Sequence, residues 1–152
     1  MTTELRVAVG LRGGVEAAPL LGLGLGLGPA RLGVEAGLPG GVVEDGTLQR
    51  VGAELGLGWA PAGVVAPEVG GGLGLALLVL RDPDIPAQAA ATPLGFAELG
   101  LRVRPGRVWS ARVSLRGGVD LRGATVQPVE GELVELGRAW LEPGLAVVAH
   151  LR

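Results

Sequence analysis

The run Leu21-Gly22-Leu23-Gly24-Leu25-Gly26-Leu27-Gly28 sets a large apolar side chain against no side chain at every second position. Successive side chains on a β-strand point to opposite faces, so the run has one apolar face and one bare face. A helix would spread the leucines around its circumference, and alternate glycines would weaken it severely. The same alternation recurs along nearly the whole chain. Elsewhere Arg, Glu and Ser replace some of the bare positions, while the apolar positions stay apolar.

Composition limits what such strands can build. The 152 residues suffice for one domain, read here as a single barrel domain over 1–152. The apolar fraction is 48% before the 29 glycines are added, and charged residues are 18%. Typical domains reach about 45–50% apolar with glycine included and about 25% charged. A net charge of −2 gives no reason to expect a nucleic-acid partner. The absence of cysteine excludes disulfides and thiolate chemistry. Every long apolar stretch is broken by Gly, Pro or charge, which argues against a transmembrane helix. The start, Met1-Thr2-Thr3-Glu4, lacks the basic and apolar regions of a secretory signal peptide.

Eight segments read as strands, each close to the roughly 9–11 residues of a tilted membrane strand. The first places Leu5, Val7, Val9 and Leu11 opposite Arg6, Ala8, Gly10 and Arg12, and the leucine–glycine run is the second. The third sets Leu32 to Leu38 against Arg31, Gly33, Glu35 and Gly37; the fourth sets Val51 to Trp59 against Gly52, Glu54, Gly56 and Gly58. In the fifth, Val69 to Val79 oppose glycines and Ala76, with Leu78 an exception. The sixth opposes Ala97, Leu99, Leu101 and Val103 to Glu98, Gly100, Arg102 and Arg104. The seventh runs from Trp109 to Arg122, with Ser110, Arg112, Ser114, Arg116 and Asp120 on its polar face. The eighth runs from Leu141 to Leu151, and Pro143 on its apolar face suggests a late start or a bulge.

Gly28-Pro29 fits a two-residue hairpin turn with glycine first, which places Leu25 opposite Leu32 and Gly22 opposite Glu35. Pro105-Gly106-Arg107 reads as a three-residue loop, placing Arg102 opposite Ser110 and Gly100 opposite Arg112. Longer connections are expected over about 39–49, 81–93 and 123–138, so short turns mark one end and long loops the other. Both termini then lie at the short-turn, periplasmic end.

An even set of alternating antiparallel strands can close and remove its edges. The leucines then face either an interior that binds an apolar ligand, as in a soluble barrel, or lipid. The glycines favour lipid: a water-facing exterior has no use for four bare positions in a row, whereas a narrow lumen needs them to admit Arg and Glu from other strands. Trp59 and Trp109 fall outward at the short-turn end, where an interfacial belt belongs. Phe96 and Trp140, near the other rim, have the opposite parity.

In this pattern, carried by Leu21–Gly28, Trp109–Arg122 and the alternating loop lengths, the chain resembles the small eight-stranded outer-membrane barrels of OmpA/OmpX-like architecture. The resemblance implies an all-β, eight-stranded antiparallel up-and-down transmembrane β-barrel in the bacterial outer membrane. The chain ends His150-Leu151-Arg152, where members of that family usually finish on an aromatic residue.

The expected lumen carries a polar network of Arg31, Glu35, Glu54, Glu98, Arg102, Arg112, Arg116 and Glu142, with Arg6 and Arg12 on the same face. Charges withdrawn from water must be paired, so these are expected to plug the barrel, with a narrow pore as the alternative. Glu98 is expected to pair with Arg112 or Arg116. A single histidine excludes a histidine-rich metal site. Ser110 and Ser114 share a face with His150, but spacing alone does not bring them together, and no catalytic, cofactor or metal residue is assigned. Gly70-Gly71-Gly72 lacks the following helix that a phosphate loop requires. Pro83, Asp84, Pro86 and the alanines after them read as an irregular loop, and Glu130, Glu132 and Glu135 make the last loop acidic. Such loops are the candidates for contact with lipopolysaccharide or a surface partner. The expected role is structural, and the expected state a monomer in membrane lipid.

Overall fold

The computed structural model describes residues 1–12, 15–37, 40–42, 46–82, 85–106, 108–122, 125–126, 134–135 and 138–150. Its strands are β1 (Thr2–Arg12), β2 (Val15–Leu27), β3 (Ala30–Gly37), β4 (Gly40–Val42), β5 (Gly46–Trp59), β6 (Val65–Asp82), β7 (Ile85–Val103), β8 (Trp109–Asp120), β9 (Thr125–Val126), β10 (Val134–Glu135) and β11 (Ala139–His150). β3 and β4 form one interrupted stave, since both pair with β2 and β5. The resulting eight staves are antiparallel neighbours in chain order, and β1 closes on β11. β9 and β10 form a separate two-stranded ribbon in the last connection.

The registers fix the geometry of closure. From Thr2, paired residues lead through Gly26, Arg31, Gly56, Gly72, Phe96, Gly118 and Trp140 back to β1 at Arg12, a stagger of ten residues. With strands about 4.8 Å apart and a rise of about 3.3 Å per residue, this tilts the staves by about 40°. The apolar row from Val51 to Trp59 on β5 then spans about 20 Å along the barrel axis, somewhat under the roughly 25 Å of an outer-membrane apolar band.

Polarity is inverted relative to a water-soluble domain. Leu23, Leu55, Leu57, Leu73 and Leu145 are exposed, while Arg6, Glu35, Arg112, Arg116 and Glu142 are buried. This arrangement rules out the soluble alternative, in which the leucine faces would form an interior for an apolar ligand. Trp59 and Trp109 are exposed at the short-turn rim. At Gly28 φ is 61°, the left-handed value that its turn requires, and Leu25↔Leu32 and Gly22↔Glu35 pair across it.

Several expectations from the sequence are corrected. Most of the stretch 81–93 is strand rather than loop, because β6 continues to Asp82 and β7 starts at Ile85, with Leu78↔Ala90 and Leu77↔Ala91 still in register. Pro86 is tolerated there because, among the described strands, this end of β7 pairs only with β6 and needs no second ladder. Pro83, Asp84, Glu130 and Glu132 lie outside the described residues, and Glu135 belongs to β10.

The β7–β8 register is displaced by two residues, with Arg102 opposite Arg112 and Gly100 opposite Ser114. Backbone groups flanking that turn bond sideways instead, Arg104 N–H to Val64 O and His150 N–H to Val108 O. A shift of two leaves every side chain on its expected face. β11 runs through Pro143 without a late start or a bulge; the β1–β11 ladder simply skips Val9 and Gly10 there. Phe96 and Trp140 face inward, as their parity requires: Trp140 is buried in the lumen with Ala76 and Leu94, and Phe96 packs against that cluster. Leu78, the exception in its strand, also points inward and is buried.

Candidate functional site

The lumen holds two ion-pair clusters built from alternate positions of different staves. In the inner cluster Arg50 Nη1 lies 2.6 Å from Glu142 Oε1, and Arg50 Nη2 lies 2.7 Å from Glu35 Oε1. Arg6 Nη1 is 3.4 Å from Glu142 and 3.8 Å from Glu35. Arg116 pairs with Glu54, and its Nη1 lies 3.3 Å from Glu35 and 3.7 Å from Glu142. Arg6, Arg50 and Arg116 therefore balance Glu35, Glu54 and Glu142. Burying ions costs several kcal/mol each unless they are paired this closely.

The second cluster lies nearer the short-turn end. Arg112 pairs with Glu4 and lies 3.5 Å from Glu68 and 3.4 Å from Glu98. Arg102 is 3.2 Å from Glu68 and donates to Pro61 O at 3.3 Å. Arg31 bridges Glu68 at 3.6 Å and Glu98 at 3.8 Å. Glu98 thus reaches Arg112, although its ladder partner is Arg116, which turns to Glu54. All eight residues singled out in the sequence face the lumen, divided between the two clusters. Arg12 ends β1, and its side chain falls outside the described ones.

Glu4, Arg50 and Glu68 were missed because each lies just before the point at which the apolar alternation becomes recognisable. Their parity was nevertheless that of the charged faces, so extending each strand by a few residues would have found them. Trp140 and Phe96 carry lumen parity in the sequence, which gives no sign of the cations they meet there. The Arg116 guanidinium carbon stands 4.2 Å from the Phe96 ring centre and 5.7 Å from that of Trp140, and Arg50 stands 4.7 Å from Trp140. A desolvated cation over an aromatic face gains about 2 kcal/mol.

The glycines make room for these groups. A Cβ on Gly58 would lie 2.9 Å from the Arg31 guanidinium, one on Gly33 2.9 Å from a Glu54 oxygen, and one on Gly144 3.1 Å from Arg6 Nε. One on Gly118 would run into the Trp140 indole. Gly70-Gly71-Gly72 instead permits backbone approach: a Cβ on Gly71 would lie 2.8 Å from Phe96 O, and one on Gly72 would strike Leu55 O.

At the short-turn mouth the barrel brings together two residues that the sequence left apart: Ser110 Oγ lies 3.1 Å from His150 Nε2. Ser110 is fully buried. Among the described residues no group of His, Asp or Glu is arranged to hold a metal ion.

An eight-stave closed antiparallel barrel with a stagger of ten, apolar outside and ionic inside, is the fold of the small outer-membrane barrels. Neisserial surface protein A is similar in structure at 12% identity, with a TM-score of 0.62 over 99% of this chain and 95% of that one. The outer membrane protein OprG of Pseudomonas aeruginosa is similar at 11% identity, with a TM-score of 0.63 over 99% and 95%. The N-terminal β-barrel domain of Pseudomonas aeruginosa OprF gives 17% identity and 0.56 over 97% and 96%. No protein-family model and no curated protein matches the sequence.

Proposed function

We propose that this protein is a bacterial outer-membrane barrel with a structural, anchoring or surface-interaction role and no catalytic one, its lumen closed by arginine–glutamate pairs. One observation carries the reading: the rows of exposed Leu and Val encircle a barrel whose interior is ionic. In water so large an apolar surface drives aggregation, whereas in a bilayer it is the surface that hydrocarbon requires. Closure leaves no free edge along the barrel wall, which favours a monomer in membrane lipid. The extended β6–β7 hairpin and the connection bearing β9 and β10 lie at the end remote from the termini. That position supports a role for them in contact with lipopolysaccharide or a surface partner.

Burial of Ser110 supports the non-catalytic role, because an attacking oxygen must be able to reach its substrate. Expression with and without detergent tests the proposal. The folded chain is expected to need detergent or lipid to stay monodisperse, to show β-sheet circular dichroism, and to shift its gel mobility on boiling. A monodisperse, folded chain in plain buffer refutes it.

A further inference from the structure

The two ends of the lumen are built differently. Near the short-turn rim a cavity of about 100 Å³ is lined by Thr2, Glu4, Gly24, Arg102, Arg112 and His150. Deeper lies one of about 50 Å³, which shares Glu4, Gly24, Arg31 and Arg112 in its wall and reaches Glu54 and Arg116. Each has room for several waters, since one water needs only about 10–15 Å³ of such space, and the walls supply the polar partners that waters need.

Exposure is uneven along this path. Near the rim the side chains of Arg31, Arg102 and Glu4 are 32%, 20% and 17% exposed but those of Arg112 and Glu68 only 4% and 5%; deeper, Glu54 is 22% exposed, and Arg116 and Glu142 are 2% and 0%. Beyond Arg116, toward the long-loop end, Ala76, Leu94 and Trp140 form a packed apolar layer. Leu20, Leu48 and Leu78 are buried there as well, beside the polar side chains of Thr92 and of Asp120, the ladder partner of Leu94. Arg50 does not open this layer, because its guanidinium lies against the Trp140 ring while reaching Glu35 and Glu142.

We propose that the lumen is a blind aqueous vestibule, entered by water and small ions from the short-turn end and stopped by the layer of Ala76, Leu94 and Trp140 rather than by the ion pairs. The proposal rests on the membrane-embedded reading above and on its closed lumen, but assigns the closure to the apolar layer in place of the arginine–glutamate pairs. Charged walls can exchange a partner for water or a passing ion, so they narrow a path without drying it. An apolar constriction offers nothing in exchange, expels water and blocks ions by dewetting. The carboxylates and guanidiniums thus line the vestibule, and the apolar layer ends it.

The chain has no cysteine, so a single introduced thiol reports its own surroundings. In Gly24→Cys the new Cβ sits at an ordinary 3.4 Å from Glu4 Cβ in the vestibule wall, and Ala76→Cys lies in the stopper. Folded protein in phosphatidylcholine vesicles is exposed to Ag⁺, quenched, unfolded and alkylated, and the free thiol is counted by mass spectrometry. A gel-mobility shift verifies that both variants fold. Gly24→Cys should react promptly and Ala76→Cys roughly a hundredfold more slowly, since its thiol waits for a local opening. Equal rates, or an inert Gly24→Cys, overturn the proposal.

Planar bilayers supply the second readout. The parent chain should be silent, the Trp140→Ala/Leu94→Ala double variant should give discrete conductance steps, and Glu54→Gln should stay silent. A silent double variant, or a conducting Glu54→Gln, overturns the stopper. A conducting parent chain instead overturns the closed-lumen reading under Proposed function.

Discussion

Replacing Glu142 with glutamine tests the inner ion-pair cluster at its most enclosed point. The side chain is fully buried and its oxygens lie within 3.7 Å of Arg6, Arg50 and Arg116. Glutamine keeps the shape and removes one negative charge, so the three guanidiniums are left with only Glu35 and Glu54. At an effective dielectric of about 20, one unit pair at about 3 Å is worth roughly 5 kcal/mol, an upper bound before desolvation and relaxation are subtracted. Breaking a buried pair by removing one partner costs about 3–5 kcal/mol, and Glu142→Gln is expected within that range.

The assay is reversible urea unfolding in phosphatidylcholine vesicles. It is followed by heat-modifiable gel mobility and by tryptophan fluorescence, to which the lumen residue Trp140 contributes. Adding Arg50→Met removes the surplus positive charge, so the double variant should be more stable than Glu142→Gln alone. A loss below about 0.5 kcal/mol for Glu142→Gln, the usual range of an inconsequential surface change, refutes the claim that the lumen ions are mutually dependent.

Leu55→Arg places a charge in the exposed apolar band and should destabilise the membrane-folded state by about 2–4 kcal/mol if the site lies near mid-bilayer, measured by the same unfolding assay; a neutral effect contradicts lipid contact. Gly72→Ala drives a Cβ onto Leu55 O and to 2.6 Å from Gly56 Cα, both immobile backbone, and should cost about 1–3 kcal/mol. Gly58→Ala meets only the end of the Arg31 side chain, which can move aside, so it should cost clearly less; a reversed order of the two contradicts the distinction between backbone approach and side-chain room. A double-mutant cycle on Glu98→Gln and Arg112→Met should give a coupling of about 0.5–3 kcal/mol, and additivity denies their ion pair.

Where sequence reasoning failed, it failed at strand ends and in the choice of partners. Alternation is legible wherever the two faces differ sharply, as in Leu21–Leu27 or Trp109–Arg116, and fades where alanine or proline softens the contrast. Ile85–Pro93 therefore looks like loop in the sequence, and Glu4, Arg50 and Glu68 fall outside the recognisable alternation of the strands that carry them. The Gly28-Pro29 register was readable because a two-residue turn ties it to local dihedrals. The β7–β8 register was not, because its longer turn bonds to neighbouring connections.

The sequence by itself determined which residues share a face, since side-chain parity on a strand is a local property with a period of two. The bare glycine positions also pointed to the lipid-facing orientation, through the room that a narrow lumen requires. Only the tertiary structure decided which charges meet. Residues far apart in the chain reach the same depth in the lumen only after the staves tilt and close with a stagger of ten. That stagger sets Glu142 among Arg6, Arg50 and Arg116, turns Arg116 toward Glu54 instead of its ladder partner Glu98, and brings the inward-facing Trp140 beside Arg50 and Arg116.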